Sequence, residues 1–101
     1  MLYIEVTSKL GKHIRITKRY WDYIVSKHES IMGLEEQIKE TLKNPAYVRL
    51  SKEDNEVYLY YAAYGKYFVC VVCRHLNGDG FIITAYLTDS IKKGVTIYEA
   101  D

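Results

Sequence analysis

Apolar and polar residues alternate along most of this chain, and the period changes in only one region. Leu2 to Thr7 and His13 to Thr17 alternate with period two around the polar turn Ser8-Lys9-Leu10-Gly11-Lys12. That pattern predicts an N-terminal β-hairpin. From Lys18 the period lengthens, and Tyr20, Trp21, Ile24, Val25 and His28 fall on one stripe of an amphipathic helix with Thr17 as its N-cap. A second helix is predicted from about Gly33 to Lys43. Leu34, Ile38 and Leu42 share its face, Glu35 and Glu36 lie in its first turn, Lys43 lies in its last, and Asn44-Pro45 ends it.

Beyond Pro45 the period of two returns. Tyr47 to Leu50, Val57 to Tyr64, Tyr67 to His75, Phe81 to Thr88 and Val95 to Tyr98 read as strands, with Asp89 to Lys93 a helical turn. Asn77-Gly78-Asp79-Gly80 is a strong hairpin signal, because these residues accept positive φ at little cost. The expected fold is α+β and spans residues 1–101 as one domain. Its N-terminal hairpin and two helices pack on one face of a four- or five-stranded antiparallel sheet.

Parity divides each strand into two faces. Val57, Leu59, Tyr61 and Ala63 share one side of the first long strand, and Tyr58, Tyr60, Ala62 and Tyr64 the other. Register is open at this point. The simplest pairing sets the small apolar residues against the helices and gathers the tyrosines with Arg74, Thr84, Tyr86 and Thr88 on the opposite side.

Composition sharpens this picture through tyrosine, which accounts for 11 residues of a 14% aromatic content. A phenol has an apolar body and a polar tip, so it suits half-wet recognition surfaces. The formal net charge of +1 argues against a strongly basic nucleic-acid binder. The charge is uneven, however. Between Ser8 and Arg19 lie Lys9, Lys12, Arg15, Lys18 and Arg19, with His13 and no acid. This patch reads as a solvated hairpin edge or as a phosphate-facing surface. No apolar run approaches the ~20 residues of a membrane helix, and the first residues do not resemble a signal peptide, so a soluble cytoplasmic protein without a membrane partner is expected. Cys70-Val71-Val72-Cys73 has redox or zinc spacing, but on a strand residues three apart point to opposite faces, so two structural thiols are expected.

Two residues carry candidate chemistry. Arg74 stands in an otherwise apolar strand, where a guanidinium needs a partner or an anionic ligand; Asp79 and Asp89 are its candidate partners. His28 lies on the apolar stripe of the first helix, either as a core residue or as a proton-transfer group.

Four segments in order carry a family resemblance: Ile16 to His28, a helix ending in histidine; Ile38 to Pro45, a helix closed by Asn-Pro; Val48 to Tyr61; and Cys70 to Asp89. On these the chain resembles small nuclease-fold domains of the barnase–EndoU–colicin–RelE (BECR) superfamily, in its phage-associated branch. The resemblance implies a metal-independent ribonuclease scaffold, toxin-like or RNA-processing, with no cofactor. His28 matches the helix histidine, Arg74 the strand arginine and Thr84 the hydroxyl of the following strand, with Tyr86 beside it. In such chemistry the RNA 2′-hydroxyl attacks and a cyclic phosphate results, which requires a base, an acid and positive charge on the phosphorane. Tyr58, Tyr60 and Tyr64 would stack bases. Lys12, Arg15, Lys18, Arg19 and Lys66 would follow the backbone. The alternative is a non-catalytic protein- or RNA-binding module on the same fold, with an antitoxin or a second copy of the chain as partner. Convergence of His28, Arg74 and Thr84 on one anion would favour the enzyme.

Overall fold

The alternating segments form strands β1 (Leu2–Thr7), β2 (His13–Thr17), β3 (Tyr47–Leu50), β4 (Val57–Tyr64), β5 (Tyr67–His75), β6 (Asp79–Thr88) and β7 (Val95–Glu99). Helix α1 (Lys18–Lys27), one 3₁₀ turn (Glu29–Ile31) and helix α2 (Glu35–Lys43) lie between β2 and β3. These elements come from a computed structural model that describes residues 2–101. The α+β class holds.

The sheet is larger than expected. It has seven strands in the order β1-β2-β6-β5-β4-β3-β7, and it is mixed, because β2 runs parallel to β6. The N-terminal hairpin therefore extends the sheet instead of packing on it. Its docking depends on Gly80, opposite Ile14. A Cβ there would lie 2.6 Å from the Arg74 carbonyl oxygen and 2.8 Å from Ile14 Cδ1. At the other edge β7 pairs antiparallel with β3. Asp89 to Lys93 is not a helical turn; the segment is irregular. It must cross four strand spacings, roughly 19 Å at about 4.8 Å each, so it has little slack for coiling.

Both helices cover one face. Thr17 caps α1 by accepting the Tyr20 N–H at 3.2 Å, and α1 buries Trp21 and Ile24. Helix α2 buries Ile38, Thr41 and Leu42. Beneath them lie Ile4, Ile14 and Ile16 of the hairpin, Tyr60 of β4, Val69, Val71 and Cys73 of β5, and Ile82 and Ala85 of β6. Among the described residues no helix is long and apolar enough to cross a membrane.

Register overturns the expected assignment of faces. Val57 opposes Arg74 and Tyr60 opposes Val71, while Val72 opposes Thr84 and Cys70 opposes Tyr86. Tyr58, Tyr60 and Tyr64 therefore share the helix-covered side with Val71 and Cys73, away from Arg74, Thr84 and Tyr86. The two-residue turn at Gly65-Lys66 sets this register, with Gly65 at φ +59° and Tyr64 opposite Tyr67. The large phenol of Tyr60 is tolerated in the core because its hydroxyl is satisfied. It donates to Ser8 Oγ at 2.9 Å and bonds His75 Nε2 at 2.9 Å. Tyr58 stacks flat on His75, with ring centres 3.9 Å apart. The cysteines do part to opposite faces, Cys73 into the helix-covered core and Cys70 into a smaller second cluster.

Candidate functional site

The uncovered face presents rows of side chains across the sheet. Arg49, Leu59, Val72 and Thr84 stand in one row, and Tyr47, Tyr61, Cys70 and Tyr86 in the next. Leu59, Tyr61 and Cys70 are buried there, with Tyr47, Phe68, Val72, Tyr86 and Ile91 packed around them. Ile91 belongs to the segment that crosses from β6 to β7, so this segment is pinned onto the face. A second pin is the Lys92 N–H, which donates to the Tyr61 hydroxyl at 3.1 Å.

Between the crossing segment, the β3–β4 loop and the end of α1 lies an open cleft of about 690 Å³. Val57, Leu59 and Val72 form its apolar floor, and His28, Ser51, Thr84 and Tyr86 its polar walls. Lys52, Lys92 and Lys93 give the rim three positive charges against the single carboxylate of Glu53. In a chain of net charge +1 this is a local concentration of positive charge, and a cleft focuses such a field.

His28 reaches the cleft from the helix layer because β6 is only partly flanked. Strand β2 pairs with Asp79, Gly80 and Phe81 alone, and further along β6 the 3₁₀ turn after α1 packs against it. The β6 strand bulges at Ile83, whose carbonyl accepts the Tyr20 hydroxyl at 2.9 Å. His28 then caps the C-terminus of α1, its N–H donating to the Ile24 carbonyl at 2.9 Å. The following turn is fixed by the fully buried Ile31. The His28 and Tyr86 rings lie 5.6 Å apart. Burial pushes the Tyr86 phenol upward, and neighbouring Cys70 adds to the rise. Both causes favour the neutral phenol. Burial also raises the Cys70 thiol to about 11, which leaves it unreactive.

Three of the four expected catalytic residues, His28, Thr84 and Tyr86, thus line one cleft, and the fourth does not. Arg74 shares the open face but does not line the cleft. Its Nη2 donates to Asp54 at 2.9 Å and its Nη1 to Glu56 at 2.9 Å. These partners replace the expected Asp79 and Asp89, and the double ion pair clamps the loop that carries Ser51 and Lys52. Asp54 is held below its ordinary range by the Glu56 N–H first and by Arg74 second.

The expected RNA-binding residues lie elsewhere. Tyr58, Tyr60 and Tyr64 face the helices, and Tyr60 is fully buried, so it cannot stack a base. Lys12 donates to the Leu76 carbonyl, Arg15 pairs with Asp79, and Lys18 with Asp22. Arg19 borders Tyr20 and Tyr23 on α1, and Lys66 lies over Tyr67 beside the β4–β5 turn. Of the basic run, Arg15 and Lys18 are thus held by carboxylates and Lys12 by a carbonyl. The cleft cations Lys52, Lys92 and Lys93, together with Ser51, are the residues that sequence reasoning missed. Only the Lys92-Lys93 pair left a visible signal, and its position depends on the unforeseen crossing.

The chain matches no family model, no curated protein and no solved structure.

Proposed function

We propose that the cleft binds single-stranded RNA and cleaves it without a metal ion, on a scaffold of the BECR type. The observation that supports this reading is the meeting of His28, Thr84 and Tyr86 in one cleft rimmed by three lysines. His28 accepts the proton of a 2′-hydroxyl, and the 2′-oxygen attacks the adjacent phosphorus. The bond from phosphorus to the 5′-oxygen breaks, leaving a 2′,3′-cyclic phosphate. The imidazolium, or a water that it protonates, returns the proton to the leaving oxygen. Lys92, whose ammonium lies 5.9 Å from the Tyr86 ring centre, supplies the positive charge expected of Arg74. Thr84 and neutral Tyr86 orient phosphate oxygens by hydrogen bonding.

The test is incubation of purified protein with end-labelled single-stranded RNA in EDTA, beside DNA of the same sequence. The expected result is RNA fragments ending in cyclic phosphate, intact DNA, and a loss of at least about 100-fold in the His28→Ala variant. Equal cleavage by that variant removes His28 from the mechanism. A second reading, a binding module for RNA or for a protein partner such as an antitoxin or a second copy, is favoured by one observation. The Arg74 guanidinium is held by Asp54 and Glu56 and does not line the cleft, so the arginine expected to stabilise the phosphorane is missing there. RNA that is bound but left intact selects that reading.

A further inference from the structure

Among the described residues, Arg49 is the arginine of the open face that holds no carboxylate. Its Nε is buried without a hydrogen-bond partner among the described residues, and it takes part in none of their ion pairs, whereas Arg15 and Arg74 each hold a carboxylate. The residue as a whole is only partly buried, and a guanidinium that holds no carboxylate suits an anion such as phosphate. The side chain stands on β3 at the end of the row that runs through Leu59 and Val72 to Thr84. Ser51 and Lys52, which follow it closely in the chain, line the cleft. The crossing segment also ends here. A Cβ on Gly94 would lie 2.4 Å from the Leu50 carbonyl oxygen and 3.9 Å from Arg49 Cβ. The segment that carries Lys92 and Lys93 thus ends beside Arg49.

Arg49 does not itself line the cleft. Its guanidinium lies 5.5 Å from the ring centre of Tyr47 on its own strand. Three strand spacings, roughly 14 Å, separate Arg49 from Thr84 at the backbone. A single phosphate cannot touch both, but a chain of two or more phosphates can. We infer that Arg49 anchors a second phosphate, remote from the one beside His28, so that the cleft is built for an oligonucleotide and not for a mononucleotide. This rests on the RNA reading above and adds the minimal ligand length to it.

The experiment measures fluorescence anisotropy with a labelled single-stranded RNA hexamer carrying 2′-O-methyl groups, which cannot be cleaved, and competition by adenosine 5′-monophosphate. In Arg49→Met, hexamer affinity is expected to fall about 10-fold, and the slope of log affinity against log salt to shrink by about 0.7, the value of one lost phosphate contact. Mononucleotide affinity should stay within about twofold, because that ligand occupies the His28 end. Lys39→Met, which removes a charge on the far helix layer, should match the wild type. Arg49→Gln repeats the test should the Met variant not fold. Unchanged hexamer affinity and slope in a folded Arg49 variant overturn the inference and leave the RNA reading standing, as does an equal loss for hexamer and mononucleotide. A wild-type protein that binds no hexamer at low salt overturns both.

Discussion

The two faces of the sheet are made from alternate residues of the same strands, yet they are finished differently. The helix-covered face is closed by two helices and contains the large core, with Tyr60, His75 and Ser8 joined in a buried hydrogen-bonded set. The open face is closed only by the short crossing segment, which covers a small cluster around Leu59, Tyr61 and Cys70 and leaves the cleft beside it. Tyrosine serves both sides, as a satisfied core residue at Tyr60 and as a cleft wall at Tyr86. The difference teaches that an abundance of amphipathic aromatics does not tell the open face from the covered one; incomplete cover and the lysines of the cleft do.

That division predicts unequal responses to mutation. Tyr60→Ala opens a cavity in the covered core and strands His75, so urea denaturation should show a loss of about 3–5 kcal/mol, a large part of a small domain's total stability. A loss below about 1 kcal/mol would erase the distinction between the faces. Next in size is an acid effect from the covered side. Burial first, and the Lys12 ammonium second, push the His75 imidazole from its ordinary 6.5 down to about 4. The unfolded chain takes up that proton below about pH 6.5 and the folded chain does not, so stability is full above this value and falls as the pH drops toward 4. The loss is about 3 kcal/mol, to be read from denaturation midpoints across that interval. A flat profile from pH 7 to 4.5 would show that His75 is not held neutral by folding. The smallest effect belongs to the open side. Tyr61→Phe removes the acceptor for the Lys92 N–H, at a cost of about 1 kcal/mol. It should speed hydrogen exchange at the Lys92 amide while leaving the Ile14 and Val71 amides protected, and uniform acceleration would mean that the two faces open together.

The elements were legible because each is written in local periodicity. The spans of β3, β4 and β5 coincide with the alternating runs, and Thr17 was readable as a cap from its position before an amphipathic stripe. The pairing of β2 with β6 and of β3 with β7 was not, since partners far apart in sequence leave no mark on either segment. The reversal of faces has the same origin. A strand's two residue sets are obvious, but which set meets the helices depends on register with its neighbours. Of the expected residues, His28, Thr84 and Tyr86 line the cleft, whereas Arg74 does not, because its partners Asp54 and Glu56 sit in a loop that showed no pattern. Arg49 could not be told from a solvated strand residue without seeing that, among the described residues, no carboxylate pairs with it.

The short parallel pairing between β2 and β6 has a consequence for how the protein comes into being. Arg15 meets Asp79 at a sequence separation of 64, and Tyr20 reaches Ile83 at a separation of 63. During synthesis the hairpin and α1 emerge long before β6 exists, and contacts of such separation are closed late and slowly. His28 belongs to the early half and Thr84, Tyr86, Lys92 and Lys93 to the late half. The nascent chain therefore carries no assembled cleft, and the pocket comes together only once α1 has found the flank of β6.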